Sequence, residues 1–246
     1  MKVLVIIPAH NEAENILHTV ADLKHLDSRF DCIVVNDGST DATLDICRKS
    51  GVNVLDLPIN LGLADAVGTG MKYAWFQGYD AAVQFDGDGQ HKAKYLPSML
   101  EQLSKGCDIV CGSRYLSSKK PLTLRMLGSR LITLSIWLIT GKRLSDPTSG
   151  LRMFSRRIIG EFAHEINYPP EPDTISHLIR KGAEIAEIPV EMNERIAGKS
   201  YLNAANSVKY MLRIFLSILI VQWFRDGALK RYKDCGCDDE IVREIQ

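Results

Sequence analysis

Short apolar runs alternate with longer amphipathic stretches through the first half of the chain. Val3 to Ile7, Cys32 to Val35, Val52 to Leu55, Ala81 to Phe85 and Ile109 to Cys111 read as strands. Between them, Asn11-Glu12-Ala13-Glu14-Asn15 opens a helix with acids near its N-terminus. A second helix runs through Lys49, a third over Ala64 to Phe76 and a fourth over Lys94 to Leu103. Val67-Gly68-Thr69-Gly70 falls inside a helical pattern and reads as a packing contact. Near-continuous apolar strands separated by helices predict an α/β fold, with a parallel sheet covered on both faces. In such sheets ligands sit outside the carboxyl ends of the strands.

The polar punctuation follows that rule. Pro8-Ala9-His10-Asn11-Glu12 ends the first strand, Asn36-Asp37-Gly38-Ser39 the second, Asp86-Gly87-Asp88 the fourth and Gly112-Ser113-Arg114 the fifth. Asp86-Gly87-Asp88-Gly89-Gln90 is the sharpest of these. It aims two carboxylates from a strand end, with Gln90 as a further oxygen donor, and hard oxygen ligands of this kind suit Mg2+ or Mn2+ shared with substrate phosphates. The competing reading is a polar turn after a core strand. The first strand is followed neither by Gly-x-Gly-x-x-Gly nor by a phosphate loop with its lysine, which weakens dinucleotide and P-loop readings.

Composition narrows the classes further. The 246 residues suit one large domain, or one with an appendage, and 30 basic residues balance 30 acidic ones, so charge makes no case for nucleic acid. Four of the six cysteines lie in or beside apolar runs and read as reduced thiols; Cys235 and Cys237 lack the second pair a zinc site needs. No signal-peptide pattern opens the chain, and a reducing cytosolic compartment is the expectation.

Ile7-Pro8-Ala9-His10-Asn11-Glu12, Val35-Asn36-Asp37-Gly38-Ser39-Thr40-Asp41, Asn60-Leu61-Gly62 and Asp86-Gly87-Asp88-Gly89-Gln90-His91 together resemble the family 2 glycosyltransferases. The likeness is greatest to polyprenyl-phosphate hexose transferases of the dolichyl-phosphate mannose synthase type. Gly112-Ser113-Arg114, Asp146-Pro147-Thr148-Ser149-Gly150-Leu151-Arg152 and Arg195-Ile196-Ala197-Gly198-Lys199-Ser200 continue it in order to about residue 225. The resemblance implies a GT-A fold with a Rossmann-like, mostly parallel sheet, a nucleotide-diphosphate-sugar donor (UDP or GDP) and inversion at the anomeric carbon. It implies that Pro8, Ala9, Asn11, Glu12 and Asp37 hold the base and ribose. Asp86, Gly87, Asp88 and Gln90 would then face metal and diphosphate, with Asp86, Asp88 and Gln90 as ligands and Asp88 near the chemistry. Arg152 belongs to the same donor site, and Arg195, Lys199 and Ser200 form a loop over the diphosphate.

A lipid monophosphate acceptor needs cations, for which Arg114, Arg125 and Arg130 are the candidates. The spacing before Leu131 favours Arg130 over Arg125. Asp146 would lie near the reaction centre, accepting a proton, orienting the acceptor or capping the turn before Pro147.

No segment reaches the roughly 20 apolar residues of a membrane span. Leu131 to Ile139 and Val208 to Phe224 come closest, the former within an amphipathic, membrane-facing segment over about 122–140. On the latter, Lys209, Arg213 and Ser217 recur as a polar stripe, and Arg225, Lys230, Arg231 and Lys233 flank it, which suits a membrane interface. A core or oligomer helix is the alternative. The expected organisation is a GT-A domain over 1–203, an interfacial helix over 204–233 and a polar tail over 234–246. The activity expected is hexose transfer to polyprenyl (undecaprenyl) phosphate for cell-wall or surface glycan. It would occur peripherally on the cytoplasmic face of the cell membrane, by surface helices alone or with a separate membrane-protein partner. Rival readings are a family 2 transferase acting on a saccharide or protein, and a silent nucleotide-sugar-binding subunit.

Overall fold

The computed structural model describes residues 1–118, 120–121, 123–165, 170–193, 204–220 and 224, leaving aside the side chains of 124–125 and 204–208. Among the described residues seven strands, β1 (Val3–Ala9), β2 (Phe30–Asp37), β3 (Val54–Leu57), β4 (Ala81–Gln84), β5 (Ile109–Ser113), β6 (Arg152–Ser155) and β7 (Ile185–Pro189), form one sheet in the order β3-β2-β1-β4-β6-β5-β7. Among the described residues eight α-helices cover it: α1 (Ile16–Leu23), α2 (Thr43–Lys49), α3 (Leu63–Phe76), α4 (Leu96–Ser104), α5 (Leu124–Thr140), α6 (Arg156–His164), α7 (Pro172–Arg180) and α8 (Ala204–Leu219). Every strand pairing is parallel except those of β6, which runs antiparallel between β4 and β5. The sheet is therefore mostly parallel, as expected for the fold class that the resemblance implies.

The two faces follow from side-chain alternation along β1. Val3, Val5, Ile7 and Ala9 pack with Ile16 and Val20 of α1, Cys47 of α2 and Leu96 and Met99 of α4. Leu4 and Ile6 face the other layer, with Val67 and Met71 of α3, Ile132 of α5, Ile158 of α6, Leu178 of α7 and Ile214 of α8. Gly70 confirms its packing role, since a side chain there would collide with Ile6. Cys32, Cys47, Cys107 and Cys111 are free thiols.

Two sequence expectations change. The acids at 12 and 14 do not open α1, which begins at Ile16 with none in its first turn. Asn11 sits at φ 56°, a left-handed conformation that asparagine tolerates, and so breaks helical geometry there. In α8, Arg213 donates to Glu171 at 2.7 Å and Ser217 to Asp173 at 2.6 Å, so much of the polar stripe fastens the helix to α7. Met211, Ile214 and Ile218 are buried, each contributing on the order of 1.5–3 kcal/mol of transfer free energy. Gly128 lets α5 approach closely, because a side chain there would lie 2.8 Å from Met211 Cγ. Both a core face and an outward apolar face therefore exist on this helix.

Candidate active site

The strand ends meet where β1 lies between β2 and β4, the point at which strand order reverses and a crevice opens. Register aligns them: Ala9 pairs with Asn36, Ile6 with Gln84, and Gln84 with Arg152. Pro8 and Ala9 are buried at the end of β1.

The first two loops are stitched together. Asn11 donates its backbone N–H to Ser39 Oγ at 3.0 Å, and its Oδ1 accepts from Thr40 N at 2.8 Å. Glu12 N donates to Thr43 Oγ1 at 2.9 Å, while Asn15 Nδ2 donates to Glu12 Oε2 at 2.7 Å. Asp37 is buried, and its two oxygens accept from Leu61 N at 2.7 Å and Gly62 N at 2.8 Å. These side chains build the walls of the crevice, with Asp37 fixing the Asn60-Leu61-Gly62 turn.

The Asp86–Gln90 turn is held from below by α1. Thr19 Oγ1 donates to the Gly87 carbonyl at 3.0 Å, and Ala93 N donates to Asp22 Oδ2 at 2.7 Å. Asp88 is buried, and its Oδ1 accepts from Gln90 N at 3.1 Å, so the polar-turn chemistry is present. Asp86 is more open, its side chain 31% exposed. It accepts from Gln84 Nε2 at 3.0 Å, and His91, whose Nδ1 takes the Asp86 N–H at 2.9 Å, stands with Nε2 3.6 Å from Asp86 Oδ2. Gly150 completes the cradle: a Cβ there would lie 2.7 Å from Asp86 Oδ2. The Gln90 carboxamide has no hydrogen-bond partner among the described residues.

Arg114 and Asp146, read separately in the sequence, form one bidentate pair. Arg114 Nε donates to Oδ2 at 2.6 Å and Nη2 to Oδ1 at 2.9 Å. Thr148 Oγ1 also donates to Oδ1, at 3.1 Å. The Asp146 side chain is fully buried. The pair raises the Arg114 pKa above its ordinary value, although burial pulls the other way. With both oxygens engaged, Asp146 suits the orienting role better than that of proton acceptor. Its loop is fixed by Glu187 of β7, which accepts from Ser145 N at 2.7 Å and Asp146 N at 3.0 Å. Glu187 was not singled out in the sequence, where a lone acid on an edge strand carries no signal.

Arg152 is also internal. It is buried on β6 and donates from Nη2 to the Pro147 carbonyl at 2.7 Å, supporting the Asp146 loop from beneath. Its thiol neighbour Cys111 has its pKa pushed up to about 12, chiefly by burial.

Arg130 lines a separate groove of about 1220 Å³ between α5 and the 143–145 loop. Lys120 and Arg143 line it too, with Leu134, Trp137 and Leu144 as apolar wall. Neither Lys120 nor Arg143 was picked from the sequence; Lys119-Lys120-Pro121 was the available signal. The Arg125 side chain and Arg195, Lys199 and Ser200 lie outside the described residues, as do Cys235, Cys237 and the basic residues from 225 onward.

A family model described as glycosyl transferase family 2 matches residues 4–162. The chain belongs to that family. An undecaprenyl-phosphate mannosyltransferase from Micrococcus luteus is 31% identical over 215 residues, 82% of this chain and 88% of that one. A polyprenol monophosphomannose synthase from Mycolicibacterium smegmatis is 28% identical over 244 residues, 94% and 89% of the two chains. These relatives bear out the resemblance to the polyprenyl-phosphate branch of family 2. Among solved structures, glucosyl-3-phosphoglycerate synthase from Mycobacterium tuberculosis, in complex with Mn2+, UDP and phosphoglyceric acid, superposes with a TM-score of 0.65. It covers 92% of this chain and 80% of its own at 19% identity, a likeness of fold, here GT-A.

Proposed function

We propose that this family 2 member transfers a hexose, with inversion, from a nucleoside diphosphate sugar to the phosphate of a polyprenyl lipid. The observation that carries the reading is the groove beside the Arg114–Asp146 pair, which joins cations to an apolar wall. That wall continues outward. Leu127, Leu131, Leu134, Trp137 and Leu138 of α5, with Leu212 and Leu216 of α8, are exposed large apolar side chains on two packed helices. Such a face suits the headgroup boundary of a bilayer. No described helix is long and apolar enough to cross a membrane. The reading keeps the protein peripheral, on the cytoplasmic face, with a membrane-protein partner left open.

In the reaction an acceptor phosphate oxygen attacks the anomeric carbon opposite the diphosphate. The bond to the new phosphate oxygen forms as the bond to the nucleoside diphosphate breaks. The acceptor is already substantially ionised at neutral pH, so a strong base is unnecessary. Arg114, oriented by Asp146, keeps Nη1 without a hydrogen-bond partner among the described residues, available to a substrate oxygen. Pro8, Ala9, Asn11, Glu12 and Asp37 shape the pocket for base and ribose, and Arg152 supports the loop between donor and acceptor.

The donor end fits a divalent cation. Among the described residues no three His, Cys, Asp or Glu side chains cluster to hold a metal. Asp86, Asp88 and Gln90 instead offer hard oxygen donors, and the Gly150 cradle leaves Asp86 room. A short donor set of this kind leaves positions for substrate phosphates, as Mg2+ or Mn2+ commonly requires. When bound, the ion neutralises charge on the departing diphosphate.

The experiment is a donor panel of UDP-glucose, UDP-N-acetylglucosamine, UDP-galactose and GDP-mannose with undecaprenyl phosphate, following lipid-linked product. One donor giving such product supports the reading. Transfer only to a saccharide, a protein or a soluble phosphorylated acid overturns the acceptor assignment, and binding without turnover points to a silent subunit.

A further inference from the structure

We infer that Lys120, together with Arg130 and Arg143, forms the anion seat for the acceptor's phosphate. This deepens the function proposed above and rests on it.

The charge distribution points to these side chains. Arg114 is neutralised by Asp146, so the pair offers an incoming dianion little net attraction. Lys120, Arg130 and Arg143 differ: none makes an ion pair among the described residues, yet all three line one groove in a chain of net charge zero. Among the described residues no acidic side chain lines the groove, and like charges concentrated on one wall raise the local potential and favour a multivalent anion.

Lys120 makes the most side-chain hydrogen bonds of the three among the described residues. Its Nζ donates to Ser129 Oγ at 3.0 Å and Thr133 Oγ1 at 3.4 Å, both on α5. An ammonium has three N–H donors, so one is left for a ligand. Arg130 Nη2 donates to the Lys120 carbonyl at 3.1 Å, which ties the two cations together. Arg143 makes no hydrogen bond among the described residues. Burial lowers the Lys120 pKa, with Arg130 and Arg114 adding to the effect against the opposing pull of Asp146 and Glu187. A bound phosphate would relieve that cost. Leu134 and Trp137 in the same groove give the first isoprene units an apolar surface, which selects a phosphate monoester with a hydrocarbon tail over a free phosphate.

The test is calorimetric binding of geranyl phosphate to the full chain without donor or membrane, with inorganic phosphate as the comparison ligand. Wild type is expected to bind geranyl phosphate more tightly than inorganic phosphate. Lys120→Met and Arg143→Gln should each weaken it by about tenfold or more, the loss expected for one charge-assisted contact. Nucleotide-sugar binding should stay at the wild-type level, which also certifies the fold, and Lys120→Arg should recover part of the loss. Wild-type affinity in both variants, or no binding of geranyl phosphate by wild type, overturns the seat. Binding that depends on Lys120 without hexose transfer by wild type leaves the seat standing and removes the proposed reaction. Transfer that ignores both substitutions does the reverse.

Discussion

Replacing Arg114 by Met should destabilise the protein more than replacing Asp146 by Asn, although both break the same pair. The Asp146 side chain is fully buried while that of Arg114 is 25% exposed. Arg114→Met strands a carboxylate away from water, leaving it only the Thr148 hydroxyl at 3.1 Å and the residue 114 backbone N–H at 3.3 Å. Breaking a buried pair from one side costs about 3–5 kcal/mol. Asp146→Asn keeps one acceptor oxygen in the fork and strands a guanidinium that water can still reach, so about 1.5–3 kcal/mol is expected. The double variant contains no buried charge and should be more stable than Arg114→Met alone, a coupling of about 2 kcal/mol. Urea denaturation of the four proteins measures this cycle, and for a chain of this length each kcal/mol moves Tm by roughly 2–4 °C. Donor turnover should fall in all three variants. Additivity within about 0.5 kcal/mol, or a milder effect from Arg114→Met than from Asp146→Asn, would refute the orienting role.

The same geometry makes other perturbations informative. Gly150→Ala puts a methyl 2.7 Å from Asp86 Oδ2; kcat/KM should drop by about 10²-fold, as for a misplacement near 1 Å, with Tm little changed. Chelation of divalent cations should abolish turnover, Mn2+ or Mg2+ should restore it, and Asp86→Asn should raise the metal concentration needed, as titration of activity would show. Leu138→Glu and Leu216→Glu, on the outward faces of α5 and α8, should reduce sedimentation with anionic vesicles while donor binding in solution is kept.

Much of the fold was legible because the apolar runs of β1 to β5 are unbroken and bounded by polar strand ends. β6 was not: Arg152-Met153-Phe154-Ser155 opens on a charge, and its antiparallel insertion between β4 and β5 is a choice of distant partners. α1 began late because Glu12 and Asn15 bond each other and Asn11 spends its amide oxygen bridging to the second strand's loop. Sequence spacing marked the strand-end residues as a group, and the structure gathers Pro8, Asp37, Asp86 and Arg114 on one rim. It could not show that Asp37 is committed to Leu61 and Gly62, or that Arg114 and Asp146 satisfy each other across 32 positions. Nor could it mark Lys120 and Arg143, ordinary surface cations until α5 is laid beside them. Arg213 and Ser217 made a polar stripe on paper, and only the fold supplied Glu171 and Asp173 opposite.

The central claim is that the sugar goes to a lipid phosphate. It is tested most directly by supplying the best donor, radiolabelled in the hexose, with equal amounts of undecaprenyl phosphate and undecaprenol in one reaction. The account predicts label in the organic phase on the phosphate-bearing lipid alone, with nucleoside diphosphate released in equal amount. Label on undecaprenol, or confined to water-soluble product, would contradict it.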